Sequence, residues 1–407
     1  MEVIHERCAG LDVHKDSVVA CARIARGRKV ERHVETFGTT TSELLCLVDW
    51  LRTHGVTHAA MEATGVYWKP VWYVLADQFE LLLANAREIR QVPGRKTDVN
   101  DATWIADLLA HGLIRASFVP PEPIRELRDL TRTRKQLVAE RSQHVQRIQK
   151  LLEDANIKLS SVVADILGVS GRTMIEAIVR GESDPKRLAE LAHGRLRASR
   201  KQLEEALHGR IRDHHRFMLG LHLAQIDGLN ASIGLVESRV EEMLDPFADL
   251  VKRLKTIPGV RDVVVAVLLA EIGPDMSKFR TAGHLVSWAC LAPRLDESAG
   301  KRRSTRTRKG QWLKAVLIQA AWSAVRQKDT YLHAQFHRIR ARRGAKKAIL
   351  AVAASILTAA YYMIRDGTEY RELGPDFFQR KHQKGRAFHL AQQLRNMGYD
   401  VELKTAA

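Results

Sequence analysis

The order in which hydrophobic periodicity changes between the N-terminus and Gly112 constrains this chain more than any other feature. Leu11-Asp12-Val13, Val18 to Ile24 and Val30 to Phe37 read as three successive strands, the last two joined by a turn at Arg26-Gly27-Arg28. Thr40-Thr41-Ser42-Glu43 then signals a capped helix whose Leu44, Leu47, Val48 and Leu51 share one face, and Gly55 stops it. A short strand from Val56 to Glu62 follows, then a helix with an aromatic start at Tyr67, Trp68, Trp72 and Tyr73, and a strand from Leu81 to Asn85. Thr97 can cap a last helix from Asp98 to His111, with Trp104, Ile105, Leu108 and Leu109 facing inward and Gly112 ending it.

The order βββαβαβα is that of an RNase H-like fold, in which antiparallel strands lead into parallel strands through helical crossovers. That order gives four acids a common destination. Asp12 points out of the first strand near its middle, and Glu62 ends the fourth strand, next to the first. Asp98 and Asp101, three apart at a helix start, share a face and come from the helix packed across them. Each acid alone has a plain explanation: a favourable helix dipole for Asp98, a hairpin turn for Asp12, a helix cap for Glu62. Together they are harder to dismiss, because an acid on an otherwise apolar strand is costly to bury without a partner. Four crowded carboxylates repel one another unless cations neutralise them. Oxygen-only ligands favour Mg²⁺, or Mn²⁺, over zinc. Two such ions roughly 3.5–4 Å apart can activate a nucleophile and stabilise a leaving oxygen in phosphodiester chemistry.

Charge points to the same chemistry. Lys and Arg total 65 against 47 Asp and Glu, a formal charge of +18, in a chain of 407 residues that is long enough for two or three domains. Such a surplus favours a polyanion, either nucleic acid or an anionic membrane. The most apolar run, Ala348 to Met363, is too short and too Ala-rich to span a bilayer, and no signal peptide is visible, so no membrane partner is expected. Cys8, Cys21, Cys46 and Cys290 have no paired spacing, which suggests a reducing cytoplasm and no zinc site. The expected location is cytoplasmic and nucleoid-associated.

The texture changes at Pro120-Pro121-Glu122-Pro123. Ile124 to Asn156 reads as a long helix with Arg125, Arg128, Arg132, Arg134, Lys135, Arg141, Arg147 and Lys150 around an apolar ladder. A second helical stretch runs from about Ala198 to Leu244 with Leu219, Ile226, Leu229, Ile233, Val236, Val240 and Met243 at helical steps. The two form a hairpin or dimerise as a coiled coil. Their basic residues are either a solvated face or phosphate contacts.

Further on, Ile257-Pro258-Gly259-Val260 suggests a helix-hairpin-helix turn, or a plain interhelical turn, since Arg261 stands where that pattern has glycine. Cys290-Leu291-Ala292-Pro293-Arg294-Leu295-Asp296-Glu297-Ser298-Ala299-Gly300 leads into Lys301, Arg302, Arg303, Arg306, Arg308 and Lys309, a loop expected to be mobile and to seek phosphates. No general base is evident beside Ser298, so by itself it reads as a loop serine.

Five motifs together resemble the DEDD-type insertion-sequence transposases of the Piv/MooV family, the group described as bridge-RNA-guided DNA recombinases. They are Gly10-Leu11-Asp12-Val13-His14-Lys15, Glu62-Ala63-Thr64-Gly65-Val66-Tyr67-Trp68, Lys96-Thr97-Asp98-Val99-Asn100-Asp101-Ala102, Ile257-Pro258-Gly259-Val260, and Leu291-Ala292-Pro293 with Ser298. The resemblance covers nearly the whole chain. It implies a RuvC-like domain over 1–120 with Asp12, Glu62, Asp98 and Asp101 as an acidic tetrad that holds Mg²⁺. It also implies a helical, coiled-coil-like region over 121–250, a mostly helical C-terminal transposase domain over 251–370 and a tail over 371–407. Ser298 would be the nucleophile, with Ser304 and Thr305 as fallbacks because Ala299 separates Ser298 from Gly300. The implied partners are DNA at the element ends and target, a structured guide RNA, and further copies of the chain, as a dimer or a tetrameric synapse. The rival readings are a Holliday-junction nuclease that shares the acids but uses water, and a non-catalytic nucleic-acid-binding protein. An actin-like sugar kinase would want a Gly-Thr-type phosphate loop after Asp12, where His14-Lys15-Asp16 stands.

Overall fold

The computed structural model describes residues 2–27, 29–63, 65–86, 89, 101–194, 198–293, 297–298, 300–302, 307 and 312–402. The chain divides into two compact units, Met1–Val119 and Pro120–Ala407.

The first unit is built on a five-stranded sheet in the order β3-β2-β1-β4-β5. Its strands are β1 (Arg7–Val13), β2 (Ser17–Arg26), β3 (Lys29–Gly38), β4 (His58–Glu62) and β5 (Glu80–Ala84). β1, β2 and β3 run antiparallel, and β4 and β5 join β1 in parallel. This is the strand order and polarity that the sequence reading requires. Helix α1 (Thr41–Thr53) begins at Thr40, whose side chain accepts from the Glu43 amide as the capping signal demands. With α2 (Trp68–Leu75) it covers one face, burying Leu44, Leu47, Leu51, Val71 and Leu75 against Ala9, Leu11, Val13, Ala59 and Met61. Alternation sends Cys8, Gly10, Asp12, Ala60 and Glu62 to the opposite face. There α3 (Asp101–Ala110) packs Ile105, Leu108 and Leu109 against Cys8 and Ala60.

The second unit is helical apart from a small hairpin. Its longest helices, α4 (Glu122–Asp154) and α9 (Asp213–Leu244), pack along each other. Arg134 donates to Glu237 at 2.7 Å, Arg141 to Asn230 at 2.8 Å, and His144 meets His222 at 3.2 Å. Partner numbers fall along α9 as they rise along α4, so the pair is antiparallel. On α9, Leu219, Ile226, Ile233 and Val240 are buried at seven-residue steps. Between the two lie α5 (Leu159–Val162), α6 (Val169–Val179), α7 (Pro185–Glu190) and α8 (Arg200–Leu207), which close a core of Ile148, Leu152, Ile157, Met174, Ile178 and Leu223. The helical stretch expected from Ala198 is thus broken after Leu207. Gly209 explains the break: a Cβ there would lie 2.3 Å from the Ala155 carbonyl oxygen, and the Arg210 amide donates to that same oxygen.

The remaining helices are α10 (Ala248–Leu254), α11 (Asp262–Ile272), α12 (Ala282–Trp288), α13 (Trp312–Ala324), α14 (Tyr331–Arg343), α15 (Ala345–Asp366) and α16 (Phe377–Asn396). The segment expected to be a tail therefore carries a helix, anchored by Phe377 and Phe378 against Tyr331. Among the described residues α15 alone is long and apolar enough to cross a membrane. It buries Ile349, Val352, Ile356, Leu357 and Tyr361, and packs with α12, α13 and α14. The turn Ile257-Pro258-Gly259-Val260 joins α10 to α11 and faces inward. A Cβ on Gly259 (φ +79°) would sit 2.2 Å from the Ala320 carbonyl oxygen of α13. The glycine is there for a close helix approach, as the plain interhelical turn requires.

Candidate active site

β1 and β4 pair in parallel with Leu11 opposite Met61, so the next residues, Asp12 and Glu62, are also aligned and emerge on the α3 face. Asp12 lies one residue short of the C-terminal end of β1, nearer that end than the sequence reading put it, and Glu62 is the last residue of β4. Asp101 opens α3, and both Asp12 and Glu62 are half-buried. Gly10 lets the helix come this close. A Cβ at Gly10 would fall 2.1 Å from the Ala102 carbonyl oxygen and 2.4 Å from the Ala106 nitrogen, inside the helix backbone. The first turn of α3 is therefore seated on β1 two residues before Asp12. Asp12 and Glu62 thus share the α3 face, Asp101 stands exposed at the start of α3, and Asp98 lies outside the described residues.

Two arginines hold α3 in place. Arg23, in the middle of β2 and almost fully buried, donates from Nε to Asp107 Oδ1 at 2.8 Å, and Arg32 of β3 reaches the same carboxylate at 3.0 Å. A buried arginine left without that carboxylate would be strongly destabilising, so the pair fixes the rotation of the helix. On the same interface the Cys8 thiol donates to the Ala106 carbonyl at 3.6 Å, and burial pushes its pKa up to about 12. It is a packing residue there and does not ionise at neutral pH. Sequence reading missed the Arg23–Asp107 pair; the available signal was a lone charge within the Ala- and Val-rich run of β2. It also missed the imidazole of His14, whose Nε2 stands 3.2 Å from Asp12 Oδ2.

In the second unit, Ser298 lies in a two-residue strand, β6 (Glu297–Ser298), paired antiparallel with β7 (Lys301–Arg302). Ser298 pairs with Lys301, next to the hairpin tip, and Gly300 there takes φ +72°. That positive φ accounts for the glycine two positions after Ser298. The hairpin is tied at its base by a bridge between Pro293 and Thr307, and Lys314 of α13 donates to Thr307 Oγ1 at 2.8 Å. Part of the segment expected to be a mobile loop is thus paired strand. Lys301 is exposed, Arg302 is placed by its backbone, and Arg303, Arg306, Arg308 and Lys309 lie outside the described residues, as do Ser304 and Thr305. Past the loop, Trp312 starts α13 beneath Lys135 (4.6 Å) and Arg132 (5.7 Å) of α4.

Other arginines of α4 are spent on the fold. Arg132 makes a two-pronged pair with the buried Glu271 of α11, both contacts at 2.9 Å. Arg128 caps the end of α11 through the Ala270 and Glu271 carbonyls at 3.0 and 2.8 Å. Burial holds its pKa below the usual arginine value.

Comparison with known proteins gives this geometry a lineage. A family model for IS110-type DEDD transposases, described as Transposase, matches residues 9–157. A second, described as Transposase IS116/IS110/IS902 family, matches residues 251–338. The chain belongs to the IS110 family of transposases. It is also 28% identical over 315 residues to the insertion element IS110 uncharacterized 43.6 kDa protein of Streptomyces coelicolor, covering 72% of this chain and 76% of that protein. The first match spans Asp12, Glu62 and Asp101, and the second spans the Ser298 hairpin. Transposases of this kind act on DNA, and DEDD enzymes generally use divalent metal ions. The residues suit such ions by donor chemistry: carboxylate oxygens, on a face that Gly10 opens to the first turn of α3. Among the described residues no three His, Cys, Asp or Glu side chains are close enough to hold an ion.

Proposed function

We propose that this transposase cuts and exchanges DNA strands with Ser298 as nucleophile, assisted by divalent metal at Asp12, Glu62, Asp98 and Asp101. The observation that carries the reading is the alignment of Asp12 with Glu62 on neighbouring parallel strands, beneath the helix end that supplies Asp101. Bound there, Mg²⁺ or Mn²⁺ would supply Lewis-acid polarisation of a scissile phosphate. The chain's own part is to present these carboxylates to the metal, with Arg23 and Asp107 fixing the helix that carries Asp101. The Ser298 oxygen attacks phosphorus and loses its proton. The P–O bond to the leaving deoxyribose breaks, and the leaving oxygen is protonated. The phosphoserine linkage conserves the bond energy until a second DNA end reverses the step.

The finer proposals follow from the same resemblance. Target choice is delegated to base pairing with a structured guide RNA, so the protein reads mainly shape and backbone. The acids and Ser298 can be supplied by different copies of the chain, which makes a dimer the smallest active species and a tetramer the strand-exchange complex. Lys301, Arg302, Arg303, Arg306, Arg308 and Lys309 contact phosphates beside Ser298. The +18 net charge supports a large nucleic-acid partner.

Ser298→Ala and Asp12→Asn test the reading with a labelled element-end substrate and Mg²⁺. Both variants should lose recombination, and Ser298→Ala should also lose the covalent protein–DNA adduct seen on denaturing gels. Strand cleavage that persists in Ser298→Ala would mean that water is the nucleophile and would overturn the serine assignment. Co-purification of the wild-type protein with RNA transcribed from beside its gene is the corresponding test of the guide. Equal affinity for unrelated structured RNA would remove that part.

A further inference from the structure

Among the described residues, a concentration of exposed positive charge outside any described ion pair lies along the chain beyond both halves of the site described above. Helices α14 and α15 meet through the single residue Gly344, and around that corner stand Arg340, Arg342, Arg343, Lys346 and Lys347, all exposed. The sequence has no Asp or Glu between Asp329 and Asp366, so the corner has no nearby carboxylate along the chain. Among the described ion pairs none includes any of the five. This separates them from Arg128, Arg132 and Arg134, which each find a partner inside the unit.

The corner is also stiff. Gly344 takes φ +81°, its amide donates to the Arg340 carbonyl at 3.0 Å, and its carbonyl accepts from Ala348 at 3.1 Å. Leu332 and Phe336 of α14 and Ile349, Val352 and Ile356 of α15 are buried, and Gln335 Nε2 donates to Ser355 Oγ at 2.9 Å across the pair. The five cations are thus presented from a fixed frame. Lys346 and Lys347 occupy the first turn of α15, where the helix dipole disfavours cations, and no acidic residue shares that turn. Like charges gathered at this spacing, with no counter-ion among the described ion pairs, repel one another until an external polyanion covers them.

We propose that the α14–α15 corner is a docking surface for the phosphate backbone of duplex DNA. It rests on the reading of the chain as a DNA-acting transposase, and it adds a contact beyond residue 338, where the second family match ends. Duplex is favoured over single strand by composition. Between Arg338 and Lys347 there is no aromatic residue on which an unpaired base could stack, so the corner offers charge without a stacking platform. Backbone contacts of this kind carry no base sequence and fix the register of the duplex on the protein.

The test uses the full-length chain and a labelled linear duplex of arbitrary sequence, titrated from low to physiological salt. The charge-removing variant combines R340Q, R342Q, R343Q, K346Q and K347Q, and the charge-keeping variant exchanges Arg for Lys and Lys for Arg at the same positions. The first should bind at least about tenfold more weakly, with a shallower salt dependence, its slope reduced by several units because each phosphate contact contributes about 0.9. The second should bind as the wild type does. Should the five-fold variant fail to fold by circular dichroism, R342Q with K347Q gives a smaller loss in the same direction. Unchanged duplex affinity and slope in a folded charge-removing variant would overturn the proposal. So would loss confined to a structured RNA of equal length, which would assign the surface to RNA. If the wild type itself fails to bind duplex DNA, the transposase reading fails, and the two outcomes are separable because no catalytic residue is changed.

Discussion

Helix α4 and the α14–α15 corner are both rich in arginine and lysine in sequence, yet their charges meet different things. On α4, Arg132 grips the buried Glu271, Arg128 caps α11 and Arg134 and Arg141 bridge to α9. At the corner, five cations stand exposed with no described ion pair. The first set is framework, because the unit supplies the carboxylates and carbonyls that each guanidinium needs. The second set is surface, because no carboxylate lies near it along the chain and no described ion pair reaches it. A basic stretch therefore implies a nucleic-acid contact only where the fold has not already answered the charge. The reading of α4 as a solvated or phosphate-contacting face gives way, for these four residues, to one of internal bonding.

The sharpest way to break this contrast is Glu271→Ala. It leaves Arg132, and in part Arg128, without the buried carboxylate that neutralises them. Breaking such a pair from one side costs about 3–5 kcal/mol, so the denaturant midpoint should fall substantially. Preserved stability would mean that α4 is no more a part of the framework than the corner is. Gly259→Val is the steric counterpart. It forces a side chain into the α13 backbone at a position with φ +79°, and should lower the thermal midpoint by several degrees through a loss of about 2 kcal/mol or more.

A pH titration follows for the α4–α9 contact. His222 is buried against His144, and burial first, then His144 and Arg147, holds its pKa below the usual histidine value. The unfolded chain then takes up the proton more readily, so stability is complete above about pH 6.5 and is lost as pH falls below it. Denaturant midpoints measured on either side of that pH should differ for the wild type, and the difference should shrink in His222→Gln. The smallest effect is expected for Arg134→Ala. Its pair with Glu237 is partly exposed, so the loss is about 1 kcal/mol or less. A larger loss would show that the outer contacts of the hairpin hold the framework as firmly as the buried Glu271 pair does.

Much of the first unit was legible because its signals are local. The capped start of α1 at Thr40, the stop at Gly55, and the ends of β4 at Glu62 and of α3 before Gly112 depend on residues within a few positions of one another. That Asp12 and Glu62 lie on neighbouring strands followed from strand order, whereas their alignment depends on the register between β1 and β4, which only the structure gives. The close approach of α3 at Gly10 was not legible, because glycine in a strand announces room without naming what fills it. The same holds for Gly209, which interrupts what periodicity reads as one helix, and for Gly300, whose role is visible only once Ser298 and Lys301 are paired.

Sequence by itself thus determined the order of elements in the first unit, the basic character of the chain and the placement of acids on two strands and at the start of a helix. Tertiary structure alone decided which charges are answered. Arg23 finds Asp107, 84 positions away, and Arg132 finds Glu271, 139 positions away. Local propensity depends on neighbours in the chain, whereas an ion pair depends on neighbours in space, and only folding brings those together.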